Sequence, residues 1–240
     1  MRNVLFLFIL FIAACETETP EKKFDSQNLQ EPIYTVEKMD SVLNLFETIS
    51  FEDLPDDYKL YADPDQKFSK KLKKREYSIV KGDKCYLYIA GKNRISNFLC
   101  PDKYFTENKE HPEKHLTQYW LVDRKLLVWI IEFMDTLKEK GLNRDGFTVR
   151  ESHRHPHYND KRGGATQSQH IFGTATDLTI QDINNDGHAG EDDKKIALEI
   201  LEEIVGNEGG MGLYPGTMTI HIDTRGERAR WNSYTRPKEK

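Results

Sequence analysis

The sequence predicts an α+β fold, and three observations carry that expectation. Short stretches alternate apolar and polar residues with a period of two, at Phe147–Glu151, 175–180 and 219–223. Two longer stretches, 121–141 and 192–205, carry apolar residues at helical spacing. The strands and helices are mixed along the chain instead of alternating regularly, which favours a sheet with helices packed to one side.

At the start of the chain, Met1-Arg2-Asn3 precedes an apolar run from Val4 to Ala14 and then Cys15. A basic start, a short apolar core and small residues before a cut site describe a secretory leader, residues 1–14. The run is too short to cross a bilayer as a helix, which takes about 20 residues. Ile12-Ala13-Ala14-Cys15 looks like a bacterial lipobox, so Cys15 is expected to be acylated, against the plainer reading of a secretory leader with an incidental cysteine. Acyl chains contribute about 0.8 kcal/mol per buried CH₂, so a multiply acylated Cys15 would tie the chain to a membrane. Residues 15–31 are polar and aperiodic and read as a tether.

Residues 32–115 read as an accessory α+β region without an assigned role. A helix is expected over Val36–Ile49, from Val36, Met39, Val42, Leu43, Leu45 and Phe46. The basic run Lys67–Arg75 reads as a solvated face. Tyr77–Val80 and Cys85–Ala90 read as two strands joined at Lys81-Gly82-Asp83. With Cys15 lipidated, Cys85 and Cys100 are left as an even pair, either a disulfide of an oxidising compartment or two separate buried thiols. His111 and His115 look incidental. A net charge of −5 with both signs interspersed argues against nucleic acid.

Residues 116–236 hold most of the recognisable chemistry. Leu126 to Leu137 form the apolar helix, with Lys138 and Lys140 in its last turn and Gly141 at its end. In the strand 219–223, alternation puts Thr219, His221 and Asp223 on one face and Ile220 and Ile222 on the other. His170 and Asp177, on either side of Gly173, form a second pair. Two local ligands and one from a distant strand suit tetrahedral zinc with its fourth position open.

Several motifs then fall in order. Ser168-Gln-His170-Ile-Phe-Gly173-Thr-Ala175-Thr-Asp177 resembles the S-x-H-x-x-G-x-A-x-D of the zinc D-Ala-D-Ala carboxypeptidases, peptidase family M15. Arg154-His-Pro156-His-Tyr158-Asn159 resembles that family's R-x-P-x-Y-N, and Gly163-Gly164-Ala165 its G-G-A. Gly210-Met-Gly212-Leu-Tyr214-Pro215 resembles G-x-G-x-Y-P, and His221-Ile-Asp223-Thr-Arg225-Gly226 resembles H-V-D-x-R-G, with Trp231 beyond it.

The resemblance implies a small antiparallel-sheet zinc peptidase domain of the Hedgehog/D-Ala-D-Ala peptidase type. Its substrates would be peptidoglycan stem peptides, cut by a metal-activated water in a lipid-anchored, periplasm-facing envelope protein. It implies zinc on His170, Asp177 and His221, substrate or oxyanion contact through Arg154, and hydrogen-bond support from Ser168. Gly164, Gly173 and Gly212 would serve tight turns or close backbone approach. One departure stands out. Branches of the family carry a glutamate three residues, or a histidine two residues, before the last ligand, and here those positions are Met218 and Thr219. Asp223 is the remaining acid on that strand face, as a base or as an orienter of the site. The departure keeps open a binding module, for wall material or a protein partner, that holds zinc without turnover.

Two other clusters remain. His153, His155 and His157 read as neutral surface histidines of a polar loop, or as further ligands. Asp182, Asn184, Asp186, Gly187 and Asp193 fall at the positions of a calcium-binding loop, or form an acidic turn that caps the next helix.

Overall fold

The computed structural model describes residues 31–102 and 117–232. The leader with Cys15, the tether before residue 31, and His111 and His115 lie outside the described residues. Among the described residues, no helix is long and apolar enough to cross a membrane.

The N-terminal region holds α1 (Val36–Leu43), β1 (Thr48–Ser50), α2 (Asp56–Ala62), α3 (Ser69–Leu72), β2 (Glu76–Lys81), β3 (Tyr88–Ala90), β4 (Asn93–Arg94) and α4 (Ile95–Phe98). The rest holds β5 (Thr117–Trp120), α5 (Arg124–Glu139), β6 (Phe147–Glu151), α6 (Pro156–Lys161), β7 (Ala175–Ile180), α7 (Glu191–Val205), β8 (Gly210–Leu213), β9 (Thr219–Asp223) and β10 (Ala229–Asn232). The α+β class is the one the periodicities predict.

Helix α1 starts where Thr35 Oγ1 accepts the Lys38 amide, and it buries Met39 and Val42. It is shorter than its apolar spacing suggests, because Thr48–Ser50 pairs with β2 as a strand. The strands β2 and β3 do not form a hairpin. A 3₁₀ turn, Gly82–Tyr86, separates them; β2 lies between β1 and β5, and β3 pairs with β4. The basic run holds α3, whose Leu72 is buried beside Phe68 while the lysines face outward.

Beyond residue 116 the main sheet has the order β10-β8-β9-β7-β6. Its pairs are antiparallel except β10 with β8, which run parallel. The sequence expectation missed two of these strands. The glycine-rich stretch Gly210–Leu213 is the strand β8, and Ala229–Asn232, beyond the strand 219–223, is β10; neither is among the expected strands. Gly212 explains the misreading: a Cβ there would lie 2.5 Å from the Trp231 indole, so the glycine makes room for a neighbour within the sheet.

Helix α5 begins at an Asp123 cap and buries Leu126, Leu127, Trp129, Ile130, Ile131, Phe133, Met134 and Leu137. It packs on α7 and on β3, so it is covered from two directions. Leu178, Ile180, Ile220 and Ile222 supply the sheet side of the same core, and Ala197, Ile200 and Leu201 supply the α7 side.

The N-terminal region is not set apart from this core. Met39, Val42, Phe46, Ile89 and Phe98 belong to the same cluster as α5, and β5 completes the N-terminal sheet from beyond residue 116. Trp120 sits at the junction, fully buried, its ring centroid 6.3 Å from Phe46 and 6.2 Å from Phe98. Trp120→Ala is expected to cost about 3–5 kcal/mol of stability, read by denaturant unfolding, with one transition for both regions. An N-terminal region that melts separately in the wild type would rule out the shared core.

Candidate metal centre

The site is built on the face of the main sheet opposite the helices. On β7 and β9, Leu178, Ile220 and Ile222 enter the core, so period two turns Asp177, Thr219, His221 and Asp223 to the other face. Register aligns a single row across the five strands. Glu151 on β6 opposes Asp177, Asp177 opposes His221, His221 opposes Gly212, and Gly212 opposes Trp231.

Glu151 reaches this row through a β-bulge. Val149 pairs with Leu178 on the core face, yet Glu151, two residues on, pairs with Asp177 on the site face. The extra residue, Arg150, shifts the phase of the strand by one and re-aims the side chain after it. Simple alternation would have left Glu151 on the face of Phe147 and Val149. Sequence reasoning therefore missed it, and the signal that could have found it was an acid closing an otherwise apolar strand face three residues before Arg154.

His170 comes from the 3₁₀ helix Gln169–Phe172. Its neighbours Ile171 and Phe172 are buried in a second cluster made by Phe51, Leu54, Tyr58, Phe68, Leu72 and Tyr77 of the N-terminal region. That region thus holds the segment bearing His170 in place. Gly173 then turns the chain into β7 with φ +66°, and a Cβ there would stand 2.5 Å from the Leu121 carbonyl oxygen.

The three atoms that converge are His170 Nε2, Asp177 Oδ1 and His221 Nδ1. They stand 3.2 Å (Nε2 to Nδ1), 2.9 Å (Nδ1 to Oδ1) and 3.4 Å (Nε2 to Oδ1) apart. Bonds of about 2.0–2.1 Å to zinc give a tetrahedron with edges of about 3.3 Å, so the spacing fits three corners of such a site. Among the described residues, this is the group of His, Cys, Asp or Glu whose ligand atoms lie close enough to hold a metal, and all three residues are buried.

The other nitrogen of each ring is already occupied. His170 Nδ1 donates to the Ser152 carbonyl at 2.5 Å, and His221 Nε2 donates to Asp223 Oδ2 at 3.1 Å. These bonds fix the tautomers that leave Nε2 of His170 and Nδ1 of His221 as lone-pair donors. Burial by itself would raise the Asp177 carboxyl, but where the facing nitrogens of His170 and His221 carry a proton instead of a metal they outweigh it and hold the group well below the usual carboxylate range.

Asp223 is a correction to the catalytic role considered for it. The residue is fully buried behind His221, and Arg225 grips its carboxylate with Nε at 2.7 Å and Nη2 at 2.6 Å. A carboxylate held this way orients the ring and has no open path to a reacting water. Asp223→Asn is expected to weaken zinc binding about 10–100-fold in a chelator competition, and unchanged affinity would remove the orienting role. Trp231 backs the same ring, 5.1 Å from its centroid.

Arg154 lies beside the ligands, but it is occupied. Its Nη2 donates to Glu151 Oε2 at 2.7 Å and to Asp177 Oδ2 at 3.2 Å, and its side chain is 12% exposed. Glu151 Oε1 and Arg154 Nε are buried without a hydrogen-bond partner. Ser168 differs from expectation: it opens the 3₁₀ helix, and its hydroxyl makes no hydrogen bond among the described residues. Tyr214 stands near Asp177, Arg154 and Glu151. Burial, helped by the Asp177 charge, pushes its phenol up to about 12, so it keeps its proton at neutral pH.

The remaining candidates fall away from the centre. His153 and His155 are buried, contrary to a surface reading, and burial pushes them down to about 3 and about 4. His157 is exposed, with Nδ1 3.1 Å from the Tyr61 carbonyl. Cys85 and Cys100 are free thiols, which corrects the expected bridge: Cys85 packs against the main core, while Cys100 lies by His155 and Asp102. The acidic loop is a helix-capping turn. Asp182 accepts the amides of Asp186 and Gly187, Asn184 that of Asp186, Asp186 that of His188, and Asp193 those of Ile183, Asn184 and Gly190. Its acids point at backbone N–H groups, as an Asx-rich turn before a helix requires.

Fold and site together define an α+β domain with three residues able to hold a metal gathered on the open face of a sheet. Residues 122–223 match the family model described as Peptidase M15. The match includes all three ligands and leaves the N-terminal region and β10 outside it. The chain matches no curated protein and no solved structure.

Proposed function

We propose that the domain is a zinc-dependent peptidase that hydrolyses a peptide bond in peptidoglycan stem peptides, as a D,D-carboxypeptidase or endopeptidase. The observation that carries the reading is the three-ligand group of His170, Asp177 and His221, lying in the segment that matches the Peptidase M15 family model. Zinc held there would supply Lewis acidity to the scissile carbonyl and to the attacking water. The chain's own residues supply the rest. Ser152 and Asp223 keep both rings aimed. Tyr214 offers a neutral O–H donor beside the site.

Neither Met218 nor Thr219 can accept a proton from water. The carboxylate that reaches the site face instead is Glu151, and its buried Oε1, bonded to no other group, is placed to hold that proton while Oε2 stays on Arg154. Attachment to the bacterial envelope through an acylated Cys15 belongs to the same reading.

The test is mass spectrometry of purified muropeptides incubated with the zinc-loaded protein and, in parallel, with chelator-stripped protein. Loss of a terminal D-Ala or of a cross-link with the loaded protein alone supports a peptidase and names its bond. Stoichiometric zinc without any product would replace the reading with a wall- or protein-binding module, for which the missing base on β9 is the structural motive.

A further inference from the structure

Next to Glu151 at the β6 bulge stands Arg150, on the site face of the strand. The guanidinium of Arg150 donates from Nη1 to the Thr219 hydroxyl at 3.2 Å. Thr219 lies on the same face of β9 as His221, two residues earlier, and pairs with Thr179 on β7. The guanidinium therefore lies over the site face, the face that alternation from Thr148 gives Arg150, and the bulge brings Glu151 in beside it.

The other arginines of this face are already neutralised. Arg154 is held by Glu151 and Asp177, and Arg225 by Asp223. Arg162 stands 3.9 Å from Glu151. Arg150 is exposed, and the partner it holds is an uncharged hydroxyl. It thus keeps a full positive charge and a planar fork of donors, the geometry that matches a carboxylate.

Distance makes the match specific. Two residues of strand separate Thr219 from His221 by about 7 Å. One residue of an extended substrate spans about 3.5 Å, and an arginine–carboxylate contact adds about 3 Å. A carboxylate one residue beyond the scissile bond then comes within reach of Arg150.

We propose that Arg150 is the specificity-determining residue of this site, binding the terminal carboxylate of the leaving residue, so that a terminal bond is cut in preference to an internal one. The proposal rests on the peptidase reading above and narrows it to a carboxypeptidase. Arg154, the arginine shared with the family motif, is left to hold Glu151 and Asp177 in place.

The experiment uses two short stem-peptide mimics ending in D-Ala-D-Ala, one a free acid and the other its C-terminal amide. The zinc-loaded wild type is expected to favour the acid about tenfold or more in kcat/KM, chiefly through KM. Arg150→Gln should bring that ratio close to one, and Arg150→Lys should keep part of it. Equal cleavage of the two mimics by the wild type, or an unchanged ratio in Arg150→Gln, overturns the assignment. Cleavage of neither would sink the peptidase reading itself. Calorimetric binding of the same two mimics would then decide the role of Arg150. Tighter binding of the acid that is lost in Arg150→Gln supports it, and equal binding to the wild type overturns it.

Discussion

His170→Ala is expected to abolish both stoichiometric zinc binding and hydrolysis while leaving the protein folded. The ring supplies one of three ligand atoms and is held by the Ser152 carbonyl, whereas the fold around it is secured by Ile171 and Phe172 in the second hydrophobic cluster. Removing an outer partner of a ligand typically costs 10–100-fold in metal affinity, so removing the ligand itself should exceed roughly 100-fold. Metal content after gel filtration and far-UV circular dichroism read the two halves separately. A variant that retains zinc at wild-type affinity would move the centre elsewhere in the protein. A variant that unfolds would show that His170 also serves packing, and His170→Gln, which keeps most of the volume, would then replace it.

Glu151→Gln is expected to keep zinc and lose turnover by about 10²–10⁴-fold, the range attributed to a positioned acid or base. The substitution retains the shape of the side chain and an oxygen able to accept from Arg154, but it removes the capacity to hold a proton. Its distinguishing readout is the combination of unchanged metal content with a fall in kcat. If kcat is unchanged, Glu151 serves as the counter-ion of Arg154 and the proton must go to another group. If zinc is lost as well, the row from Glu151 to His221 behaves as one electrostatic unit, since Arg154 bridges Glu151 to the ligand Asp177.

Both experiments turn on features that differ greatly in how far the sequence reveals them. His170, Asp177 and His221 are legible because zinc chemistry restricts ligands to a few residue types, and because turn glycines and strand alternation mark their surroundings. The apolar spacing of Leu126 to Leu137 gives α5 almost residue for residue. Patterns of this kind are local: the period of a helix or strand is imposed by its own backbone.

What stayed hidden depends on contacts between distant segments. Thr48–Ser50 continues a helical apolar pattern and becomes a strand because β2 offers it hydrogen bonds. Gly212 marks a break in the sequence and a close approach to Trp231 in the sheet. His153 and His155 look like loop histidines until the N-terminal region covers them; Tyr77 lies 6.1 Å from His153 and Tyr61 5.3 Å from His155, centroid to centroid. Asp223 shares a strand face with His221, and the grip of Arg225 is what makes it an orienting group.

By itself the sequence determined the α+β class, the two long helices and the grouping of His170, Asp177 and His221. The tertiary structure alone decided that the N-terminal region shares the core and steadies His170. It also decided that one extra residue in β6 turns Glu151 toward the site, beside Arg150. The physical reason is that side-chain direction along a strand is fixed only relative to its neighbour's hydrogen bonds, and a bulge changes that reference without leaving a mark in composition or period.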